Sequence, residues 1–249
     1  MNDRRRRLLQ GSALAALGGL CGGLSSLSHA AAASDVSTGI APIKIGIIGS
    51  GNVGGTLGTL WAKAGHDVLF SSRHPDELTD LVHRVGARAR AGTPQGAADF
   101  GDVILLAVPY GALPGIGKAL AASLRGKVIL DACNPYPGRD GATASTALKE
   151  GAGVTSASYF PGSRLVRGFN SIDASAVASD AHRTPDEVAV PIAGDDKQAL
   201  ATISRLVQDA GFEAVITGSL ATARLFQPDG PLFEQILTAP AMRQRLAKG

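Results

Sequence analysis

A short apolar run rich in β-branched residues, Ile43 to Ile48 (IKIGII), leads without a spacer into GSGNVG at Gly49 to Gly54 and then into a helical stretch through Ala64. Strand, glycine turn and helix in that order are what a dinucleotide-binding βαβ unit requires. Each glycine has a distinct task. Gly49 permits the tight turn, Gly51 lets the backbone approach a diphosphate, and Gly54 lets the helix pack closely on the strand. The helix start then presents free N–H groups and a partial positive charge to the phosphates. The predicted contact set is therefore Gly49, Ser50, Gly51, Asn52, Val53 and Gly54. The competing reading of this segment alone is a glycine-rich turn without a ligand.

The residues that follow support the dinucleotide. After the turn Ala64 to Asp67 comes a second strand, Val68 to Ser71, whose end falls about 20 residues past the fingerprint, where NAD enzymes place an acid on the ribose hydroxyls. This chain has Ser71, Ser72, Arg73 and His74 there. An acid would repel a 2′-phosphate, whereas hydroxyls and a guanidinium bind one through charge-assisted hydrogen bonds. Ser71, Ser72 and Arg73 thus select NADP(H) over NAD(H); a solvated surface arginine is the alternative for Arg73. His66 reads as structural, and His74 stands near the expected adenine without an assigned role.

The unit then repeats. Gly86 to Ala91 gives weak support for a third strand, Val103 to Ala107 is a fourth and Lys127 to Asp131 a fifth, with helical stretches near 75–85, 94–98 and 111–123. Lys197 to Ala210 has helical periodicity, Phe212 to Thr217 is strand-like, and Pro231 to Lys248 reads as helices broken by Pro240. The alternation predicts an α/β protein, a Rossmann-type, doubly wound, mostly parallel sheet with a small C-terminal extension. Thirty-two glycines and 4% aromatics suit many tight strand-to-helix turns. Ala107, Val108 and Pro109 end the fourth strand, where ligands gather in such sheets, and are expected beneath the nicotinamide half of the cofactor.

The first 33 residues differ in kind. A basic start (RRRR), an Ala/Gly/Leu-rich stretch from Leu8 to Leu27 and a small-residue end (SHAAAA) form an export signal with cleavage after Ala30. Arg5 and Arg6 followed by Arg7, Leu8 and Leu9 match the twin-arginine pattern. An uncleaved membrane anchor is the competing reading. Residues 34–42 have linker composition, 43–180 form the NADP-binding domain, and 181–249 form a smaller portion completing an acceptor cleft. The expected location is the periplasm, reached already folded.

The formal charge of +3 comes largely from the leader. Setting aside Asp3 and Arg4 to Arg7 leaves a body of balanced charge, with no basic tract for nucleic acid. Past the leader no apolar run is long enough to span a bilayer. Cys21 lies in the leader, so Cys133 is the mature chain's single thiol and reads as a buried small hydrophobe. No pair of histidines has metal-ligand spacing, and no metal site is expected.

From Ile45 to about Pro228 the ordered segments IGIIGSGNVG, FSSRHP, VILLAVP, KVILDACNP, RLVRGFNSI, VPIAGDD and GFEAVITGSLATARLFQP resemble the family of NADPH-dependent coenzyme F420 reductases, which includes the oxidoreductase domains of six-transmembrane ferric reductases. The resemblance implies hydride transfer between NADP(H) and a flavin, a deazaflavin such as F420, or a similar flat acceptor stacked on the nicotinamide. It implies no catalytic acid or base. By motif match, Asn134 and Pro135 would line the cleft after the fifth strand, Asn170 would end the sixth, and Gly218, Ser219 and Leu220 would close over the acceptor. Turn residues are the alternative for Asn134, Asn170 and the Gly218 to Leu220 segment. The stretch Tyr136 to Gly153, rich in Gly, Ala and Thr, departs from the family pattern as an insertion beside that cleft.

Two other functions stay open on sequence grounds. One is reduction of a small carbonyl or imine, although Tyr110, Tyr136 and Tyr159 lie in no Tyr-x-x-x-Lys pattern. The other is a non-catalytic NADP-binding or sensing module. The expected partners are a small-molecule electron acceptor and a second copy of the chain in a homodimer.

Overall fold

In the computed structural model, residues 41–248 are described; the export-signal reading and most of the linker fall on residues 1–40, outside that range. The first half contains β1 (Lys44–Ile48), α1 (Asn52–Lys63), β2 (Asp67–Ser71), α2 (Thr79–Val85), β3 (Ala89–Gly92), α3 (Pro94–Phe100), β4 (Val103–Leu106), α4 (Leu113–Ala119), α5 (Ala121–Leu124) and β5 (Val128–Asp131). The second half adds α6 (Pro137–Glu150), α7 (Ala152–Tyr159), β6 (Arg164–Arg167), α8 (Ala174–Asp180), β7 (Ala189–Gly194), α9 (Lys197–Asp209), β8 (Glu213–Gly218) and α10 (Ala239–Leu246).

The strands form one sheet of order β3-β2-β1-β4-β5-β6-β7-β8. All neighbours run parallel except β6 and β7. The chain starts at the sheet centre, goes outward through β2 and β3, then returns to lay β4 on the other side of β1. That reversal leaves a crevice beyond the C-terminal ends of β1 and β4, where such sheets take their ligands. The expected α/β architecture is the one observed, and β7 and β8 extend its sheet.

The central strands β4 and β5 are buried along their whole length, as parallel strands covered on both faces must be. Helix α9 shows the complementary pattern, burying Ala199, Leu200, Ile203, Leu206 and Val207 at helical spacing after an N-cap in which Asp196 accepts from Ala199 N–H at 2.7 Å. On that face Trp61 is fully buried, its Nε1–H donates to Leu206 O at 2.7 Å, and its ring meets Phe169 edge-on with Phe212 beyond. Among the described residues no helix is long and apolar enough to cross a membrane.

One expectation shifts. The third strand lies at Ala89–Gly92, later than the expected 86–91, because it is the short outer strand and only Ala89 of its residues is buried. The stretch 136–153 is largely helical. Pro137 sits at the start of α6, the helix kinks at Gly141 with φ +59°, and Ala144 and Ala147 bury one face.

Candidate functional site

The three glycines of the turn sit in different surroundings. Gly49 has φ +101°, a region costly to other residues, and a side chain there would overlap Ala107 O. At Gly54 a side chain would overlap Gly49 O and press on Ile47 of β1. Gly51 is different: φ is −75° and nothing stands within 4 Å of where a β-carbon would lie. The fold therefore does not need glycine at 51. Gly51 also brings no side chain to cap α1, which leaves first-turn N–H groups available to an anion.

Two adjoining cavities lie beyond the strand ends. A cavity of about 650 Å³ is bounded by Gly49, Ser50 and Gly51 on one side and by Ser71, Ser72 and Arg73 on another. Leu78, Pro94 and Ile116 supply it with an apolar wall of the kind a purine packs on. Arg73 is exposed and makes no ion pair or hydrogen bond within the described residues. Ser72 Oγ accepts from His74 N–H at 3.0 Å and still has a proton to donate. Ser71 departs from its assigned part: its hydroxyl is buried and donates to Ile47 O at 2.6 Å, so it fastens β2 to β1.

The second cavity, a cleft of about 360 Å³, is lined by Asn52, Val53, Ala107, Cys133, Asn134 and Asn170 among others, and shares Val108 and Pro109 with the first. The structure thus brings together the glycine turn, the end of β4, Asn134 and Asn170. Asn134 Nδ2 donates to Asn170 O at 2.6 Å, while Asn170 Nδ2 donates to Asn134 Oδ1 at 3.1 Å and to Phe226 O at 2.7 Å. Asn170 lies past the end of β6 because Phe169, with φ +60°, turns the chain there. Pro135, Gly218, Ser219 and Leu220 are not among the residues lining the cleft. Leu220 is buried and its N–H donates to Asp195 Oδ1 at 3.0 Å, which ties it to the end of β7. The C-terminal residues that do reach the cleft are Phe233 and Glu234.

The 136–150 segment forms one rim. Asp140 Oδ1 accepts from Gly111 N–H and Oδ2 from Tyr136 N–H, both at 3.1 Å, which joins α6 to the loop after β4. Arg139 pairs with Asp140 at 2.8 Å, donates to Asn134 O at 2.8 Å and lies over the Tyr136 ring. Burial pulls the Asp140 carboxyl upward, but the Arg139 guanidinium and the two backbone donors outweigh it and hold it below the usual range. Cys133 is buried against Leu106 O, and burial together with the nearby Asp131 charge pushes its thiol well above the ordinary value. It is therefore not a nucleophile at neutral pH. Tyr110 is fully buried, donates to Ala152 O at 2.9 Å, and is likewise held protonated by burial.

A crevice at the chain reversal, an uncapped helix start behind an open glycine and a cation beside the second strand define a protein of the Rossmann-type dinucleotide-binding class. Residues 44–135 match the family described as NADP oxidoreductase, coenzyme F420-dependent. Over that segment the chain resembles this family, and like the relatives it matches it is an NADP-dependent oxidoreductase with NADP(H) as its cofactor. It is 31% identical over 189 residues to rat metalloreductase STEAP3, a match covering 73% of this chain and 35% of that protein. The chain thus matches about a third of that relative's length. It is 28% identical over 204 residues to the F420-dependent NADP reductase of Methanothermobacter thermautotrophicus, covering 76% of this chain and 87% of the relative. Among solved structures, a hypothetical protein from Sinorhizobium meliloti superposes with a TM-score of 0.69 at 26% identity, covering 80% of this chain and 96% of that one.

Proposed function

We propose that the protein transfers hydride between NADP(H) and a flat acceptor, a flavin or a deazaflavin of the F420 type, held in the cleft of about 360 Å³. The observation that carries this reading is that the two cavities adjoin, sharing Val108 and Pro109 in their walls. It lets one dinucleotide run from Arg73 to the cleft, and the names of the relatives suggest the acceptor. Gly49, Gly51 and the α1 start hold the diphosphate, Arg73 and Ser72 hold the 2′-phosphate, and Ala107 to Pro109 support the nicotinamide. Bound there, NADPH would supply a hydride, one proton carrying two electrons, and leave as NADP+. The further proton that completes reduction of the acceptor would come from bulk solvent.

Neither buried candidate, Cys133 nor Tyr110, is suited to proton transfer at neutral pH. Catalysis then consists of alignment and exclusion of water. Stirring purified protein with NADPH and FMN, FAD or F420 and following nicotinamide absorbance tests this directly. Acceptor-dependent consumption is expected; tight NADPH binding with no turnover on any of the three would favour a sensing module instead. Reduction of a small carbonyl or imine is the outcome to check if the flat acceptors fail.

Arg73→Ala is expected to weaken NADPH binding by about 1.5–3 kcal/mol, the scale of a charged hydrogen bond, with little change for NADH. Isothermal titration with both cofactors measures the difference. Equal losses would detach Arg73 from the 2′-phosphate.

Export belongs to the same proposal. A twin-arginine leader carries folded protein, so cofactor bound in the cytoplasm travels with the chain to a compartment where no NADPH pool is expected to support repeated turnover. Cell fractionation of the Arg5→Lys/Arg6→Lys variant is expected to find it retained in the cytoplasm. Unchanged export would refute the route.

A further inference from the structure

Beneath the cleft floor lies an ion pair that the proposed hydride transfer does not use. Asp131 ends β5 and Arg167 ends β6, neighbours in register, and both side chains are fully buried. Arg167 Nη1 donates to Asp131 Oδ2 at 2.6 Å. Its Nη2 donates to Cys133 O at 2.6 Å and to Asn134 Oδ1 at 3.3 Å. Asp131 Oδ1 in turn accepts from Cys133 N–H at 2.9 Å. The pair therefore grips both the N–H and the C=O of Cys133, a residue of the cleft wall, and through Asn134 it reaches Asn170.

As a stabilising device this arrangement is poor. Taking two charges out of water is repaid only when every remaining donor and acceptor is satisfied. Here Arg167 Nε and Asn170 Oδ1 are buried without a hydrogen-bond partner. Well-packed apolar residues would hold β5 to β6 at no such cost, since the strands are already joined by their backbone ladder. What apolar residues cannot do is fix the 132–134 backbone and the two amides in one orientation.

We infer that Arg167, together with Asp131, is a positioning device for the nicotinamide side of the cleft: it acts through Cys133 and Asn134, and touches neither cofactor nor acceptor. This rests on the proposed cofactor placement. It requires that loss of the pair disturb the ring bound in the cleft while leaving the adenosine cavity, on the far side of Val108, as it was. A purely structural role would lower stability and either leave both halves unchanged or damage both together.

The test uses 2′,5′-ADP, which reports on the adenosine cavity alone, and NADPH, whose nicotinamide emission at saturation reports on the ring's surroundings. Two variants are measured against the unaltered protein: Arg167→Lys, which keeps the charge but loses the fork, and the double replacement Asp131→Leu/Arg167→Met, which removes both charges. The expected result is a Kd for 2′,5′-ADP within about twofold of the unaltered protein, with the saturated emission response reduced to less than half. Any acceptor-dependent kcat is expected to fall about tenfold or more.

An unaltered emission response in either folded variant would overturn the inference, as would parallel loss of both ligands. Failure of both variants to fold would assign the pair to folding and overturn it equally. If the unaltered protein binds neither ligand, it is the cofactor placement that falls first, and the two failures are thereby told apart.

Discussion

Gly51→Ala is expected to reduce affinity for NADP(H) by about 2–3 kcal/mol, roughly 30- to 150-fold, while leaving the melting temperature of the ligand-free protein almost unchanged. The contrast within one turn makes this test informative. A methyl group at Gly49 or Gly54 would collide with backbone, so loss of binding there could follow from a distorted fold. At Gly51 the backbone angle is ordinary and the space around the missing β-carbon is open. The methyl group would occupy the space through which a diphosphate must approach to reach the N–H groups of α1. Thermal melts without ligand and titration with NADPH measure the two sides separately. A stable Gly51→Ala variant that binds NADPH normally would remove the diphosphate from this turn.

What the sequence made legible and what it hid divide along the range of the interactions. The run from Ile43 to Ala64 could be read because every requirement is local: β-branched residues for a strand, glycines at fixed offsets, helical periodicity after them. Arg73 could be placed for the same reason, since a short strand sets its distance from the turn. The third strand was blurred because an outer strand with one buried residue, Ala89, leaves little hydrophobic pattern.

Residues 136–153 read as an insertion rich in Gly, Ala and Thr, with Pro137, Gly138 and Gly141 near its start. Their effect is confined to the start and kink of a helix whose later turns bury Ala144 and Ala147. Ser71 was assigned by residue type, and only the three-dimensional arrangement shows its hydroxyl turned onto Ile47.

The acceptor side was less legible still. Phe233 and Glu234 reach the cleft from far along the chain, and nothing in their surroundings marks them. Asp173 could have been suspected from its place before a run of small residues, and it does cap α8 by accepting from Ser175 N–H. The resemblance pointed to Gly218, Ser219 and Leu220 as a closing segment, whereas the structure seats Leu220 in the core beside the end of β7. Asp131 ended the expected fifth strand, and Arg167 lay unremarked in the segment RLVRGFNSI. Only the parallel register of β5 on β6, which sets Asp131 opposite Arg167, turns two strand ends into one ion pair.

That pair carries the largest stability effect expected in the molecule. Asp131→Ala leaves the Arg167 guanidinium buried with no counter-charge, and loss of one member of a buried pair costs about 3–5 kcal/mol. At about 2–4 °C per kcal/mol for a domain of this size, the melting temperature should drop by roughly 6–20 °C. Replacing both members with apolar residues should recover most of that loss, because the desolvation of the two charges disappears together with their attraction.

A double-mutant cycle on Asp131→Leu and Arg167→Met in thermal or denaturant unfolding yields the coupling energy. A strongly non-additive cycle is expected, with each single variant well below the double. Additive losses would mean that the two charges are independent in solution and that water reaches them. The grip of Arg167 on Cys133 O and Asn134 would then have no electrostatic anchor.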